Sequence, residues 1–135
     1  MIALDSSFLI ANYNVRDVFH TAAVRTMDQL RGGVWGRALL LEYVFAETIG
    51  ILKRKTSNSK AVEVGHHLRN SRESDFVLGA EIFMDSWNKF QGDFSTSLSF
   101  IDHAVAVVAL QRAGGKVLTF DKAFRQIPGI TVLPE

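Results

Sequence analysis

No cysteine occurs among the 135 residues, which removes disulfides, thiolate zinc sites and cysteine nucleophiles together. A reducing cytoplasm suits such a chain. A charge excess of one sign is also lacking, since 15 Lys and Arg stand against 14 Asp and Glu. Bulk electrostatics therefore draws the chain toward neither nucleic acid nor membrane, and a nucleic-acid function has to come from a local site. Long hydrophobic runs are missing as well. The longest central one, from Ala104 to Leu110, is far too short to span a bilayer, and no basic stretch precedes the strand-like Ile2-Ala3-Leu4. A cytoplasmic protein without a membrane partner is the expectation. Repeats, low-complexity segments and interdomain linkers are absent. What is present is 47% hydrophobic residues, enough for a real core in a single domain spanning residues 1–135.

Short apolar runs alternate with longer segments of helical period, the pattern of an α/β fold with a mostly parallel sheet. Strands are expected at Ile2–Leu4, 34–36, 75–78, 116–119 and 130–133. A helical stretch over about 15–31 stops at Gly32-Gly33, and a second, over about 39–54, is apolar almost all the way round. Thr56-Ser57-Asn58-Ser59 reads as a turn with an N-cap before a returning helix over about 60–70. Further helices are expected over about 79–90 and from Ser99 to the Gly114-Gly115 pair.

Four acids occupy informative places on this frame. Asp5 directly follows the first strand, and ligands bind at the carboxyl ends of strands in an open parallel sheet. Its plain alternative is to cap a helix beginning near Ser7. Glu47 shares a helix face with Leu40, Tyr43, Val44 and Ile51, where an unpaired carboxylate is costly unless paired, protonated or bound to a metal. An ion pair, for instance with Arg54, is the alternative, and Glu42 points away as a solvated or capping residue. Asp102 completes a Ser-x-x-Asp pattern with Ser99 that resembles a capping box, yet it also shares a face with the small residues Ala106, Ala109 and Ala113. That stripe lets the helix lie close to the sheet. Asp121 comes just beyond the fourth strand, as Asp5 does beyond the first, and could equally cap the short helix 122–126.

Together, two acids at strand ends and two on flanking helices are expected to converge on one crevice. Crowded carboxylates repel and raise one another's pKa until a divalent cation neutralises them, and oxygen-only ligands favour Mg²⁺ or Mn²⁺ over zinc. Such a site can deprotonate a water and neutralise the charge that builds on a phosphodiester under in-line attack.

The segments Leu4-Asp5-Ser6-Ser7-Phe8-Leu9-Ile10, Tyr43-Val44-Phe45-Ala46-Glu47-Thr48, Leu98-Ser99-Phe100-Ile101-Asp102-His103-Ala104 and Thr119-Phe120-Asp121-Lys122-Ala123-Phe124 resemble the PIN-domain family in order and spacing. The size of the chain looks like that of a VapC-type toxin of a type II toxin–antitoxin pair. The resemblance covers essentially the whole chain. It implies a three-layer α/β/α fold, a Mg²⁺ or Mn²⁺ site, endonucleolytic cleavage of RNA, a homodimer and inhibition by a cognate antitoxin. By position, it implies that Asp5, Glu47, Asp102 and Asp121 are the metal-binding and catalytic acids, with Ser6 and Thr119 as polar helpers.

Other chemistry is weaker. His66 and His67 are adjacent and point about 100° apart on a helix, while His20 and His103 are isolated. Lys53-Arg54-Lys55 closes a helix where the dipole favours cations, although these side chains could also meet phosphates together with Arg37 or Lys122. A receiver module would want an aspartate where Val77-Leu78-Gly79 stands, and a haloacid-dehalogenase-type phosphatase would want Asp-x-Asp where Asp5-Ser6-Ser7 stands. A PIN-like module that binds RNA or a partner without cutting is the non-enzymatic alternative. Dimerisation is expected through apolar surface that includes the 39–70 hairpin, and the acidic cleft invites an antitoxin Arg or Lys that reaches toward Asp5 and Asp102.

Overall fold

A computed structural model describes all residues, 1–135. Its strands are β1 (Ile2–Leu4), β2 (Ala38–Leu41), β3 (Ser74–Val77), β4 (Lys116–Leu118) and β5 (Thr131–Leu133). They form one five-stranded sheet in the order β3-β2-β1-β4-β5, parallel throughout. Ala3 is flanked by Leu39 on one side and Val117 on the other, which puts β1 at the centre. Both faces of a parallel sheet are covered, so β1 and β2 are buried at every position while the edge strand β3 is not.

The helices are α1 (Ser6–Tyr13), α2 (His20–Arg31), α3 (Glu42–Lys55), α4 (Asn58–Arg69), α5 (Phe83–Gln91) and α6 (Phe100–Arg112). Right-handed crossovers place α1 to α4 on one face as the chain steps from β1 to β3. The return step to β4 places α5 and α6 on the other. Contacts agree: α1 packs on α2 and α3, α3 on α4 and α5 on α6, while α6 lies on β1, β2 and β4. The alanine stripe of α6 is buried, as the sequence led one to expect, with Ala106 and Ala109 fully covered. Beyond α6, Gly114 and Gly115 take φ of +58° and +81°, and the Gly115 N–H reaches back to the Ala109 carbonyl at 2.9 Å. No helix is long and apolar enough to cross a membrane.

Two expected elements are displaced. The second strand lies at Ala38–Leu41 rather than at 34–36, because Gly33 and Gly36 have φ of +82° and +72° and make Val34-Trp35 a turn. The fully buried run Ala38-Leu39-Leu40-Leu41 carries no period that separates strand from buried helix, so it reads as the start of the following helix. Freed of it, α3 buries a narrow stripe of Val44, Thr48 and Leu52. The helix expected over 15–31 starts late, at His20, for a different reason. Asn14 accepts from the Arg16 N–H and Asp17 from the Phe19 N–H, two local side-chain turns that hold the backbone out of helix until His20.

Candidate active site

The sheet changes direction between β1 and β4, which is where a doubly wound fold opens a crevice beyond its strand ends. Asp5 and Thr119 are the first residues past those two strands, and the Asp5 N–H still pairs with the Leu118 carbonyl at 3.0 Å. Asp5 is only 3% exposed. It stands at the N-cap of α1, but its side chain makes no capping bond. Instead Asp5 Oδ2 accepts from Thr119 Oγ1 and from Ser7 Oγ, each at 2.7 Å.

Ser7 Oγ also lies 3.0 Å from Thr119 Oγ1 and accepts from the Phe120 N–H at 3.0 Å, while Thr119 Oγ1 accepts from the Asp121 N–H at 2.9 Å. This network ties the start of α1 to the turn after β4. No Lys, Arg or His pairs with the Asp5 carboxylate. Burial pushes its pKa up to about 6 against the downward pull of the Thr119 and Ser7 hydrogen bonds, and the charge of Asp102 adds a smaller upward push. Desolvation, more than repulsion among acids, therefore dominates at Asp5.

The other acids surround this centre. Glu47 is half-buried, and the Ser6 hydroxyl donates a short hydrogen bond to its Oε1. It shares no helix face with Leu40, which belongs to β2, and it forms no ion pair with Arg54, although both line a groove with Phe100 and Ile101 at the start of α6. Asp102 is the N3 residue of α6: its Oδ2 accepts from the Ser99 N–H at 2.9 Å while Ser99 Oγ accepts from the Asp102 N–H at 3.1 Å. The capping box thus exists and aims Asp102 close enough for its charge to reach Asp5. Asp121 caps the short 3₁₀ turn Lys122–Gln126 through the Ala123 N–H at 2.9 Å and lines one cleft with Ser6 and Ser7.

Glu47 connects to this centre through Ser6 and Asp121 through Thr119, yet no three acidic or histidine side chains are close enough together to hold a metal ion by themselves. Magnesium seldom needs such a cage, because it keeps several waters and binds through one or two carboxylates plus substrate phosphates. A buried, cation-free Asp5 beside Asp102 fits that mode in both donor chemistry and electrostatics.

Sequence reasoning missed Ser7 as a member of the site and Asp93 altogether. Asp93 accepts from the Ser95 N–H at 3.1 Å, the Thr96 N–H at 3.0 Å and the Thr96 hydroxyl, and it lies 2.8 Å from His103 Nε2. His103 is thereby the anchor of the long polar loop before α6. Arg37 does not join a phosphate-contacting patch with Lys122. It precedes β2 at the opposite end of the sheet, where it pairs with Asp75 at 2.6 Å. Glu42 accepts from the Gly79 N–H at 2.8 Å, and a side chain at Gly79 would collide with the Tyr43 ring.

Residues 2–130 match the family model described as PIN domain. The chain belongs to the PIN domain family. Among solved structures, this PIN domain is similar to the Mycobacterium tuberculosis toxin VapC20, described as a sarcin–ricin loop cleaving toxin. The TM-score is 0.81 at 23% sequence identity, covering 93% of each chain. At that identity the likeness establishes the shared α/β/α fold. No curated protein matches the sequence.

Proposed function

We propose that this PIN domain is a divalent-metal-dependent endoribonuclease and the toxin of a toxin–antitoxin pair. The observation that carries the reading is Asp5, a buried carboxylate with no cationic partner, held by two hydroxyls at the switch point of a parallel sheet. A protein that needed only stability gains nothing from that group. Family membership and the likeness to a toxin that cleaves the sarcin–ricin loop support the same reading.

Asp5 and Asp102 would hold the ion, with Asp121 reaching it from the turn beyond β4. Bound there, Mg²⁺ or Mn²⁺ would supply the positive charge that a phosphodiester needs under in-line attack. The chain's own groups do the rest. Thr119 and Ser7 fix the Asp5 carboxylate in one rotamer, and Ser6 fixes one oxygen of Glu47, leaving the other to take a proton from an attacking water. Ser99 orients Asp102.

Two partners belong to the same proposal. A cognate antitoxin would place an Arg or Lys against Asp5 and Asp102 in the position of the cation. A second copy of the chain would cover the exposed Phe76, Leu78, Phe83, Met84 and Trp87 near the β3 edge and α5. Light scattering of the chain alone should then give the mass of a dimer.

The deciding experiment incubates the protein with total RNA, with and without Mg²⁺ or Mn²⁺, and maps new ends. Metal-dependent cuts that fall on the order of a hundred- to a thousandfold in Asp5→Asn are expected. RNA binding with no metal-dependent loss of substrate would instead identify a non-catalytic PIN-like module.

A further inference from the structure

Phe19 and Phe120 form the one stacked aromatic pair of the molecule, with ring centroids 4.6 Å apart and planes 3° from parallel. Phe120 is fixed at its root, between Thr119 and Asp121, with its N–H on Ser7 Oγ and its ring 6.3 Å from that of the fully buried Phe8. Phe19 rests on it from the turn before α2, where Asp17 accepts its N–H at 2.9 Å. With Phe120 against it, Phe19 still leaves 45% of its surface in solvent. An aromatic ring held so firmly in register with the acids, yet so exposed, is a platform without its load.

The ground on either side is basic. The two rings are a ridge between a cleft of about 560 Å³ that reaches Ser6, Ser7 and Asp121, and a second of about 570 Å³ that reaches Thr119. Arg16 and Lys55 line the first; Arg25, Lys122 and Arg125 line the second. All five are exposed and none is in an ion pair. The acids in these clefts are otherwise engaged or few: Asp17 holds the Phe19 turn, Asp121 caps the turn after it through the Ala123 N–H, and Glu135 is the one acid lining the second cleft.

We infer that this ridge is a base-stacking subsite, on which an unpaired RNA base lies against Phe19 while the flanking phosphates run along Arg16 and Lys55 on one side and Lys122 and Arg125 on the other. The inference rests on the ribonuclease reading and names the class of its substrate. Base faces are free only in single strands, loops and bulges, since a duplex keeps them stacked inside. Stacking is tolerant of base identity, and the free cations add an electrostatic, salt-dependent component. Because Phe120 lies between the two site residues Thr119 and Asp121, the stacked base sets which phosphodiester faces Asp5.

The test is binding without cleavage. A short fluorescein-labelled single-stranded RNA of random sequence, in EDTA, is titrated by anisotropy against the wild-type chain and its Phe19→Ala, Phe19→Leu and Phe19→Trp variants, with melting curves to confirm each fold. A blunt RNA duplex is the comparison ligand. Phe19→Ala and Phe19→Leu should weaken single-strand binding roughly five- to a hundredfold, Phe19→Trp should restore it, and duplex binding should ignore position 19. A 2-aminopurine in the strand should be quenched by wild type and by Phe19→Trp only. Single-strand affinity in Phe19→Ala equal to wild type overturns the inference and returns the ridge to a protein partner. Full affinity in Phe19→Leu overturns it too, since apolar bulk would then suffice, as does a wild type that binds no RNA. These outcomes are separate from the nuclease reading. Metal-dependent cleavage by a protein indifferent to Phe19 keeps the nuclease and removes the ridge. Phe19-dependent binding without cleavage does the reverse.

Discussion

Asp5 and Asp93 are both aspartates ringed by hydroxyl and amide donors, and they end in opposite electrostatic states. Asp93 takes hydrogen bonds from Thr96 and Ser95 and pairs with His103, and these donors hold its carboxyl well below the usual carboxylate range, the Thr96 hydroxyl contributing most. Asp5 has two hydroxyls and no cation, and burial carries it up to about 6. One network supplies its carboxylate with partners from within the protein, although it leaves His103 Nδ1 buried without a partner. The other is fully built except for a positive charge. A carboxylate whose partners are all internal serves the fold, whereas one left short of a single charge, in a crevice, marks the place where the missing charge comes from outside.

The largest expected effect breaks the comparison at Asp5. A rise from 3.8 to about 6 in the folded state means that the native protein binds more protons than the unfolded chain between those values. The stability linked to that proton is fully present below pH 3.8 and is lost as pH rises through about 6. At neutral pH the ionised group then costs on the order of 3 kcal/mol. Asp5→Asn should therefore melt higher than wild type at pH 7.5 without metal, with the gain vanishing near pH 4 and shrinking when Mg²⁺ stabilises wild type alone. Melting curves across pH decide it, and a mutant that melts lower at pH 7.5 would make Asp5 a structural residue like Asp93.

A smaller effect sharpens the comparison through the hydroxyls. Thr119→Val keeps the shape and removes a donor to Asp5, so RNA cleavage should fall about ten- to a hundredfold, the usual loss when a group orienting a metal ligand is removed. Asp5 should also titrate higher than in wild type, a shift that NMR of its carboxyl carbon would follow. Unchanged cleavage and titration would take Thr119 out of the site.

The smallest change is expected at Asp93→Asn. With its folded pKa depressed, Asp93 contributes stability that is present above the usual carboxylate pKa and lost as pH falls through the lower folded value. The mutant should melt below wild type at neutral pH, and the gap should close on acidification. Metal-dependent cleavage should change less than in Thr119→Val. A cleavage loss as large as that of Asp5→Asn would show that the loop before α6 belongs to the reaction.

Much of this was legible in the sequence. Strands β1, β4 and β5 announced themselves because short apolar runs were bounded by turn residues, and Asp5 and Asp121 then fell beyond strand ends by counting alone. β2 was hidden, since four buried residues joined directly to a helix lack a period of their own. The partners were hidden for a different reason. Ser7 meets Thr119 across 112 positions of sequence, and Ser6 meets Glu47 across 41, contacts that no local pattern records. Asp93 was overlooked because a polar loop offers no periodicity, and its value lies in where His103 of α6 comes to rest.

The central position of β1 has a consequence in time. The Thr119–Asp5 hydrogen bond spans 114 positions, so the first site residue leaves the ribosome long before the group that holds it. Closing so wide a loop is entropically slow, and the pairing of β4 with β1 comes after β2 and β3 are available to nucleate. A nascent or truncated chain that stops before β4 carries Asp5, Glu47 and Asp102 but lacks the strand that brings Thr119 and Asp121 to them. Synthesis itself therefore withholds the assembled site until β4 and the turn after it have been made.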